Sequence, residues 1–215
     1  MDHLDEWSNT FSQKIEQIKP SDRWILEIDN NICDSRSGWE YFVQDEAFGW
    51  FHCSQCYNSW ESVNVCVVFH MKLDHNSGYM KQGTVKMRQL RQRCHKCNGD
   101  NFVKPEFPSN VRNNILDNLI IQIRKYCYKE RNVPNLRDVR CGNVTHGRHI
   151  SSHCEACKWG ICKKQRVTMT SILQYQCKIR EHTNQEHNIC KCCCFCFLII
   201  LLILTVLFVV ANSEL

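Results

Sequence analysis

The sequence predicts an α+β fold, in which helices pack on a small β-hairpin or sheet, followed by a single C-terminal transmembrane helix. Apolar residues alternate over 63–73 and again over 84–93, which is the period of two expected for strands. Apolar residues recur at three- and four-residue steps over 5–18 and 110–129, which is the period of helices. The prediction of a transmembrane helix is based on residues 195–211, where 17 consecutive residues carry no charge.

The N-terminal third begins with the amphipathic helix predicted over 5–18, which Pro20 ends. A short strand over 23–28 and a loop rich in Asn, Ser and Asp over 29–38 follow. An aromatic run over 39–51 then supplies large side chains for a core. Stacking on single-stranded RNA bases is the alternative use of these rings, although few Lys or Arg are interleaved with them.

The helix predicted over 110–129 is a core-packing element without catalytic features. Ser109 or Asn110 can cap its start, and Asn132 with Pro134 ends it. Its opposite side is polar. The apolar stripe consists of Val111, Ile115, Leu119, Ile123 and Tyr126.

Cysteine usage is the most informative part of the composition. The chain has 17 Cys, whereas its net charge of +5 is too weak to indicate nucleic acid by itself. The N-terminus is acidic and polar, so no export signal is predicted and no oxidising compartment is indicated. CxxC pairs in a reducing compartment favour thiolates on zinc over disulfides.

The first predicted zinc site uses the two CxxC pairs that flank the hairpin. Cys53 and Cys56 precede its first strand, and Cys94 and Cys97 follow its second strand. Antiparallel pairing brings the outer ends of the two strands together. The four thiolates then form a tetrahedral site, as structural zinc requires.

The second predicted site follows the pattern H-x4-C-x2-C-x4-C. Its ligands are His149, Cys154, Cys157 and Cys162. Three further residues compete for the first position, although one of them directly precedes Cys154 and adjacent residues rarely bind the same small ion; these three are Cys141, His146 and His153. Four protein ligands leave no position open for water, so both Zn²⁺ sites are predicted to be structural and the protein is not expected to be an enzyme.

The C-terminal part is predicted to anchor the chain in a membrane. Basic residues before the apolar segment, including Lys191, keep the larger N-terminal part in the cytosol by the positive-inside rule. Cysteines at the membrane edge are candidates for S-acylation, or are merely small apolar residues there: Cys190, Cys192, Cys193 and Cys194. The predicted domains are a cytosolic zinc-binding domain over 1–163, a polar linker over 164–189, an anchor over 190–211 and an extracytosolic tail over 212–215.

Together these motifs resemble the receptor-transporting proteins, within the three-CxxC zinc-finger group. The resemblance covers 1–163 and the C-terminal anchor, and it favours His149 over His146 and Cys141 as the first ligand of the second site. The motifs that carry it are Lys19-Pro20, Arg23-Trp24, Gly38-Trp39, Phe48-Gly-Trp-Phe-His-Cys-Ser-Gln-Cys56, Trp60, Gly83-Thr-Val-Lys-Met-Arg88, Gln92-Arg-Cys-His-Lys-Cys97, Pro105-Glu-Phe107, Cys154-Glu-Ala-Cys157 and Gly160-Ile-Cys162.

The resemblance implies an accessory protein, or chaperone, for G-protein-coupled receptors. Such a protein promotes the folding, trafficking and surface expression of chemosensory receptors (bitter-taste or odorant) or of opioid receptors. It would be a single-pass membrane protein of the endoplasmic reticulum, secretory pathway and plasma membrane. The motifs specify neither the client receptors nor an oligomeric state.

Two further functions are compatible with the motifs. One is a zinc-finger RNA-binding protein tethered to a membrane, with a basic edge beside the aromatic run formed by Arg88, Arg91, Arg93, Lys96 and Lys104. The second is a thiol–disulfide redox enzyme that uses a CxxC pair. Three CxxC pairs with a suitable His favour metal over redox chemistry.

Overall fold

A four-stranded mixed sheet is the framework of the protein. The computed structural model describes residues 3–74, 80–97, 102–140 and 149–164, all of which belong to the N-terminal unit Met1–Arg166. The spatial order of the strands is β1-β4-β3-β2. The strands are β1 (Arg23–Ile28), β2 (Glu40–His52), β3 (Ser59–Asp74) and β4 (Gln82–Gln89).

Strands β3 and β4 form the predicted antiparallel hairpin, and β1 adds to it in parallel. The β3–β4 ladder runs from Asp74 opposite Gln82 to Val67 opposite Gln89. Alternate residues of both strands are buried on one face, as the period of two requires. With helices packed on this face, the predicted α+β class is confirmed.

Strand β2 was not predicted from the sequence. It pairs antiparallel with β3 over nearly its full length, but the register shifts on both sides of Ala47. Glu46 has a left-handed φ of 56°, which marks a bulge. The bulge breaks the alternation of buried and exposed side chains. The sequence of this strand therefore shows clustered aromatic residues without a period of two. Most of its rings serve the core, as in Phe51, which stacks on Trp60 with centroids 5.2 Å apart.

Two helices cover the main face of the sheet. Helix α1 (His3–Ile18) buries Trp7, Phe11 and Ile15. Helix α2 (Ser109–Gln122) continues into a π-helical turn, Ile123–Cys127. The helices and the sheet share one large core.

The predicted second helix over 110–129 agrees with the structure to within two residues at each end, but its predicted cap and stop signals were wrong. Its N-cap is Pro108, and no side chain caps it. At its C-terminal end, Lys129 adopts a left-handed φ of 58°, so the helix stops before Asn132. The π-helical turn changes the angular position of the following residues, which leaves Tyr126 37% exposed although it continues the predicted stripe.

A smaller core lies on the opposite face of the sheet, where the second cysteine cluster is located. Cys66, Val68 and Leu90 come from the sheet region, and Ile161 comes from the C-terminal end of the described chain. Short elements complete this region: β5 (Gln92–Arg93), β6 (Phe102–Val103), a 3₁₀ turn (Ser151–His153) and α3 (Glu155–Lys158).

The predicted membrane localisation requires a correction. Across the described ranges, no helix combines the length and the apolar character needed to cross a bilayer. A single-pass membrane protein is therefore not supported. The anchor over 190–211, the tail, the candidate S-acylation cysteines (Cys190, Cys192, Cys193 and Cys194) and all of the linker except Lys164 lie outside the described residues.

Candidate metal centres

Cys53, Cys56, Cys94 and Cys97 form the first cluster of candidate ligands. Their Sγ atoms all lie within 4.8 Å of one another. The Cys53 and Cys97 Sγ atoms are 3.6 Å apart, and those of Cys56 and Cys94 are 3.5 Å apart. Tetrahedral Zn–S bonds of about 2.3 Å place sulfurs about 3.8 Å apart, so these spacings fit one zinc ion.

Backbone hydrogen bonds shape the turn after Cys53 and favour the thiolate form of Cys94 in the second CxxC pair. The Tyr57 N–H donates to the carbonyl of Cys53 at 2.8 Å, with Tyr57 at a left-handed φ of 57°. Although desolvation by burial opposes ionisation, the backbone N–H groups of Lys96 and Cys97 lower the pKa of Cys94 to about 6. Cys94 is therefore a thiolate near neutral pH, which is the form that binds zinc.

The two halves of this site meet through side chains as well as through the hairpin. Beyond Gln89 the strands separate, and Gln92 connects them: its Nε2 donates to Ser62 Oγ at 2.9 Å, and its Oε1 accepts from Trp60 Nε1 at 3.0 Å. Asn58 Nδ2 donates to Cys94 Sγ at 3.7 Å. Neither Gln92 nor Asn58 was identified as a site residue from the sequence, because amides carry no ligand signature.

His149, Cys154, Cys157 and Cys162 form the second cluster, and their ligand atoms also lie within 4.8 Å of one another. His149 Nε2 is 3.1 Å from Cys157 Sγ and 3.7 Å from Cys162 Sγ. His153 lies in the 3₁₀ turn and does not belong to this cluster. Cys141 and His146, which the sequence also suggested for the position of His149, lie outside the described residues.

The three cysteines of the second cluster are buried, which disfavours charged thiolates unless a cation compensates them. A hydrogen bond with Cys162, together with burial, raises the pKa of Cys154. Burial and the neighbouring Cys162 raise the pKa of Cys157. The thiols of Cys154 and Cys157 therefore resist ionisation, whereas a bound Zn²⁺ favours their thiolate forms. Gly160, at a left-handed φ of 66°, lies in the turn that leads to Cys162.

An ion pair fixes the second cluster to the sheet. Glu155, between the two cysteines of the third CxxC, accepts from Arg88 Nη2 at 2.6 Å and from the Arg91 N–H at 2.7 Å. Arg88 Nη1 also donates to the carbonyl of Ile32 at 3.0 Å. Sequence reasoning missed this contact, because Arg88 lies 67 residues before Glu155 in the chain.

The same contacts weaken the basic edge that was predicted to bind RNA. Arg88 is 8% exposed and is neutralised by Glu155. The guanidinium of Arg93 lies 4.8 Å from the ring centroid of Phe102. Of the five predicted residues, Lys96 and Lys104 are the exposed ones. The described surface therefore presents a weaker basic edge than the sequence predicted.

The fold and the two four-ligand clusters define a zinc-ribbon protein. The family model described as a zinc-binding domain, of the three-CxxC zinc-ribbon type, matches residues 46–160. Together with the geometry of both clusters, this match confirms the zinc prediction, with two Zn²⁺ ions. When bound, zinc offsets part of the charge of the thiolates and cross-links the segments that carry them.

The chain is 37% identical over 164 residues to receptor-transporting protein 4 of Homo sapiens, covering 73% of this chain and 63% of that protein. It is 35% identical over 158 residues to receptor-transporting protein 2 of Mus musculus, covering 73% and 69%. The chain therefore belongs to the receptor-transporting protein family. With receptor-transporting protein 3 of Mus musculus the identity is 35% over 170 residues, covering 78% and 35%. No solved structure matches.

Proposed function

We propose that this protein is an accessory factor that promotes the folding, trafficking and surface expression of receptors. Its clients would be G-protein-coupled receptors of the chemosensory type, bitter-taste or odorant, or of the opioid type. The observation that carries the proposal is membership of the receptor-transporting protein family, with relatives named receptor-transporting protein at 32–37% identity. The chain spans 63% of the human relative and 59% of a Macaca fascicularis relative, receptor-transporting protein 1.

We further propose that the protein is not an enzyme. Each zinc cluster has four protein ligands, which leaves no coordination position for a substrate or a reactive water. The first cluster joins the ends of β2 and β5, and the second is fixed to the sheet through Glu155. Zinc in these positions rigidifies a surface that a partner can recognise.

Receptor delivery to the cell surface tests the proposed function. Epitope-tagged odorant, bitter-taste and opioid receptors are expressed with the full chain or with an empty vector, and surface and total receptor are measured by flow cytometry. The expected result is a higher surface-to-total ratio for at least one receptor class. A Cys154→Ser variant of the second cluster is the matched loss-of-fold control. An unchanged ratio for all three classes would refute the proposal.

A further inference from the structure

An exposed tryptophan lies beside the first zinc cluster, in a row with two glutamates. Trp50 of β2 is directly opposite Glu61 of β3, and on its other side it forms a bridge with Glu106. Residues that are directly opposite in antiparallel pairing project from the same face. The order across this row is therefore Glu61, Trp50, Glu106.

The indole of Trp50 is held in place although it is 43% exposed. Its Nε1–H donates to Glu61 Oε1 at 3.3 Å. Its ring packs edge-on against buried Phe48, with centroids 5.6 Å apart. The backbone of Trp50 exchanges two hydrogen bonds of 2.8 Å with Glu106. A large aromatic side chain that is fixed before binding loses little entropy when a partner contacts it.

The two glutamates of this row are exposed and are not neutralised. Within the part of the chain that the structure describes, neither Glu61 nor Glu106 forms an ion pair with a Lys or Arg. Lys104, two residues before Glu106, is exposed and is not paired with it. Many acidic side chains elsewhere on the surface are paired, as in Glu6 with Arg112, Glu40 with Lys129, Glu46 with Lys163, and Glu130 with both Lys19 and Arg124.

A second aromatic ring extends the same surface towards the first zinc knuckle. His52, two residues after Trp50, is hydrogen-bonded to Ser59 at 2.9 Å. Tyr57 packs against His52, with ring centroids 6.2 Å apart, and is itself 78% exposed. Tyr57 directly follows the first CxxC pair and has a left-handed φ of 57°.

We propose that the surface formed by Trp50, His52, Tyr57, Glu61 and Glu106 binds an arginine-bearing peptide segment of a client receptor. A planar guanidinium stacks on an exposed indole and donates to carboxylates with several N–H groups. Adjacent strands are about 4.8 Å apart, so the two carboxylates flank the indole over roughly 10 Å. A nucleic acid does not fit this surface, because Glu61 and Glu106 repel phosphates. Naming a receptor as the source of the peptide rests on the proposed function.

Peptide binding to the purified, zinc-loaded full chain tests the surface itself. Fluorescence anisotropy is measured with a labelled peptide of alternating Arg and Ser, and with matched peptides in which Gln or Glu replaces Arg. The arginine peptide should bind most tightly and the glutamate peptide least. Trp50→Ala should weaken binding roughly 5- to 30-fold. Equal affinity for the arginine and glutamine peptides, or tighter binding of an oligonucleotide that Trp50→Ala abolishes, would overturn the inference.

Charge variants separate recognition from folding. The double variant Glu61→Gln and Glu106→Gln keeps the shape of the row, and it should weaken binding at least about 3-fold and flatten its salt dependence. Glu16→Gln with Glu27→Gln is the matched control, since both are exposed acids on separate elements, and it should bind as the wild type does. Zinc content and melting temperature are checked for each variant. Equal weakening by both double variants would overturn the assignment of this surface.

The receptor delivery assay distinguishes this inference from the proposed function. Loss of delivery with the Glu61→Gln/Glu106→Gln variant, but not with the control pair, supports a receptor as the source of the peptide. Full delivery by that variant overturns the receptor as occupant while the proposed function stands. If the wild-type chain never raises delivery, the proposed function fails and the receptor is removed as occupant, whereas the measured peptide affinity is unaffected.

Discussion

Replacing Arg88 with Met should strongly destabilise the protein, because it leaves a buried carboxylate without its cation. The side chains of Arg88 and Glu155 are only 10% and 11% exposed. Removal of one partner of a buried pair costs about 3–5 kcal/mol. Domains of this size are stable by about 5–15 kcal/mol, so the loss is a large fraction of the total. The free energy of unfolding is measured by urea titration of the zinc-loaded protein.

Two further variants show whether the cost comes from an unpaired charge. Arg88→Met combined with Glu155→Gln removes both charges, so we expect it to be clearly more stable than Arg88→Met alone. Lys129→Met is the matched control, because it removes an exposed ion pair. The side chains of Lys129 and Glu40 are 72% and 41% exposed, so their pair should contribute about 0–1 kcal/mol to the free energy of unfolding. A loss below about 1 kcal/mol for Arg88→Met would refute the reasoning.

Three more changes test separate parts of the structure. Cys94→Ser should lower the bound zinc from two ions to one per chain, which metal analysis measures, and it should unfold the chain around the first cluster, which circular dichroism measures. Two retained ions would contradict the site. Gly83→Ala places a Cβ 2.2 Å from the ring of Trp24, so we expect a loss of at least about 1–3 kcal/mol in urea titration, against a small change for Thr84→Ala. The hydrogen bond from Lys86 lowers the pKa of Asp29, so this carboxylate stabilises the fold above its unfolded pKa and less so as pH falls through its folded pKa. The stability difference between wild type and Asp29→Asn should therefore shrink below about pH 4, and a constant difference would contradict it.

The sequence predicted well those features that depend on local spacing. The hairpin and the first cluster follow from periods and from CxxC pairs, which neighbouring residues define, whereas the choice of His149 for the second cluster needed the family resemblance. Strand β2 was missed because the bulge at Glu46 breaks its alternation. The exposure of Tyr126 near the end of the second helix was missed because a π-helical turn is set by packing. The contact by which Glu155 fixes the second cluster to the sheet was not predicted. Its partner Arg88 is 67 residues earlier in the chain, and no local pattern indicates such a pair.

The segment over 88–97 connects the two zinc clusters. Arg88 and Arg91 hold the second cluster through Glu155, and the same segment then supplies Cys94 and Cys97 to the first cluster. Between them, Gln92 pairs with Val103 in a strand ladder and with Cys154 in an isolated bridge. Since one short segment contacts both clusters, loss of either metal should loosen the cluster that remains, and thermodynamic linkage makes this effect reciprocal. We therefore expect the two ions to stabilise this segment together.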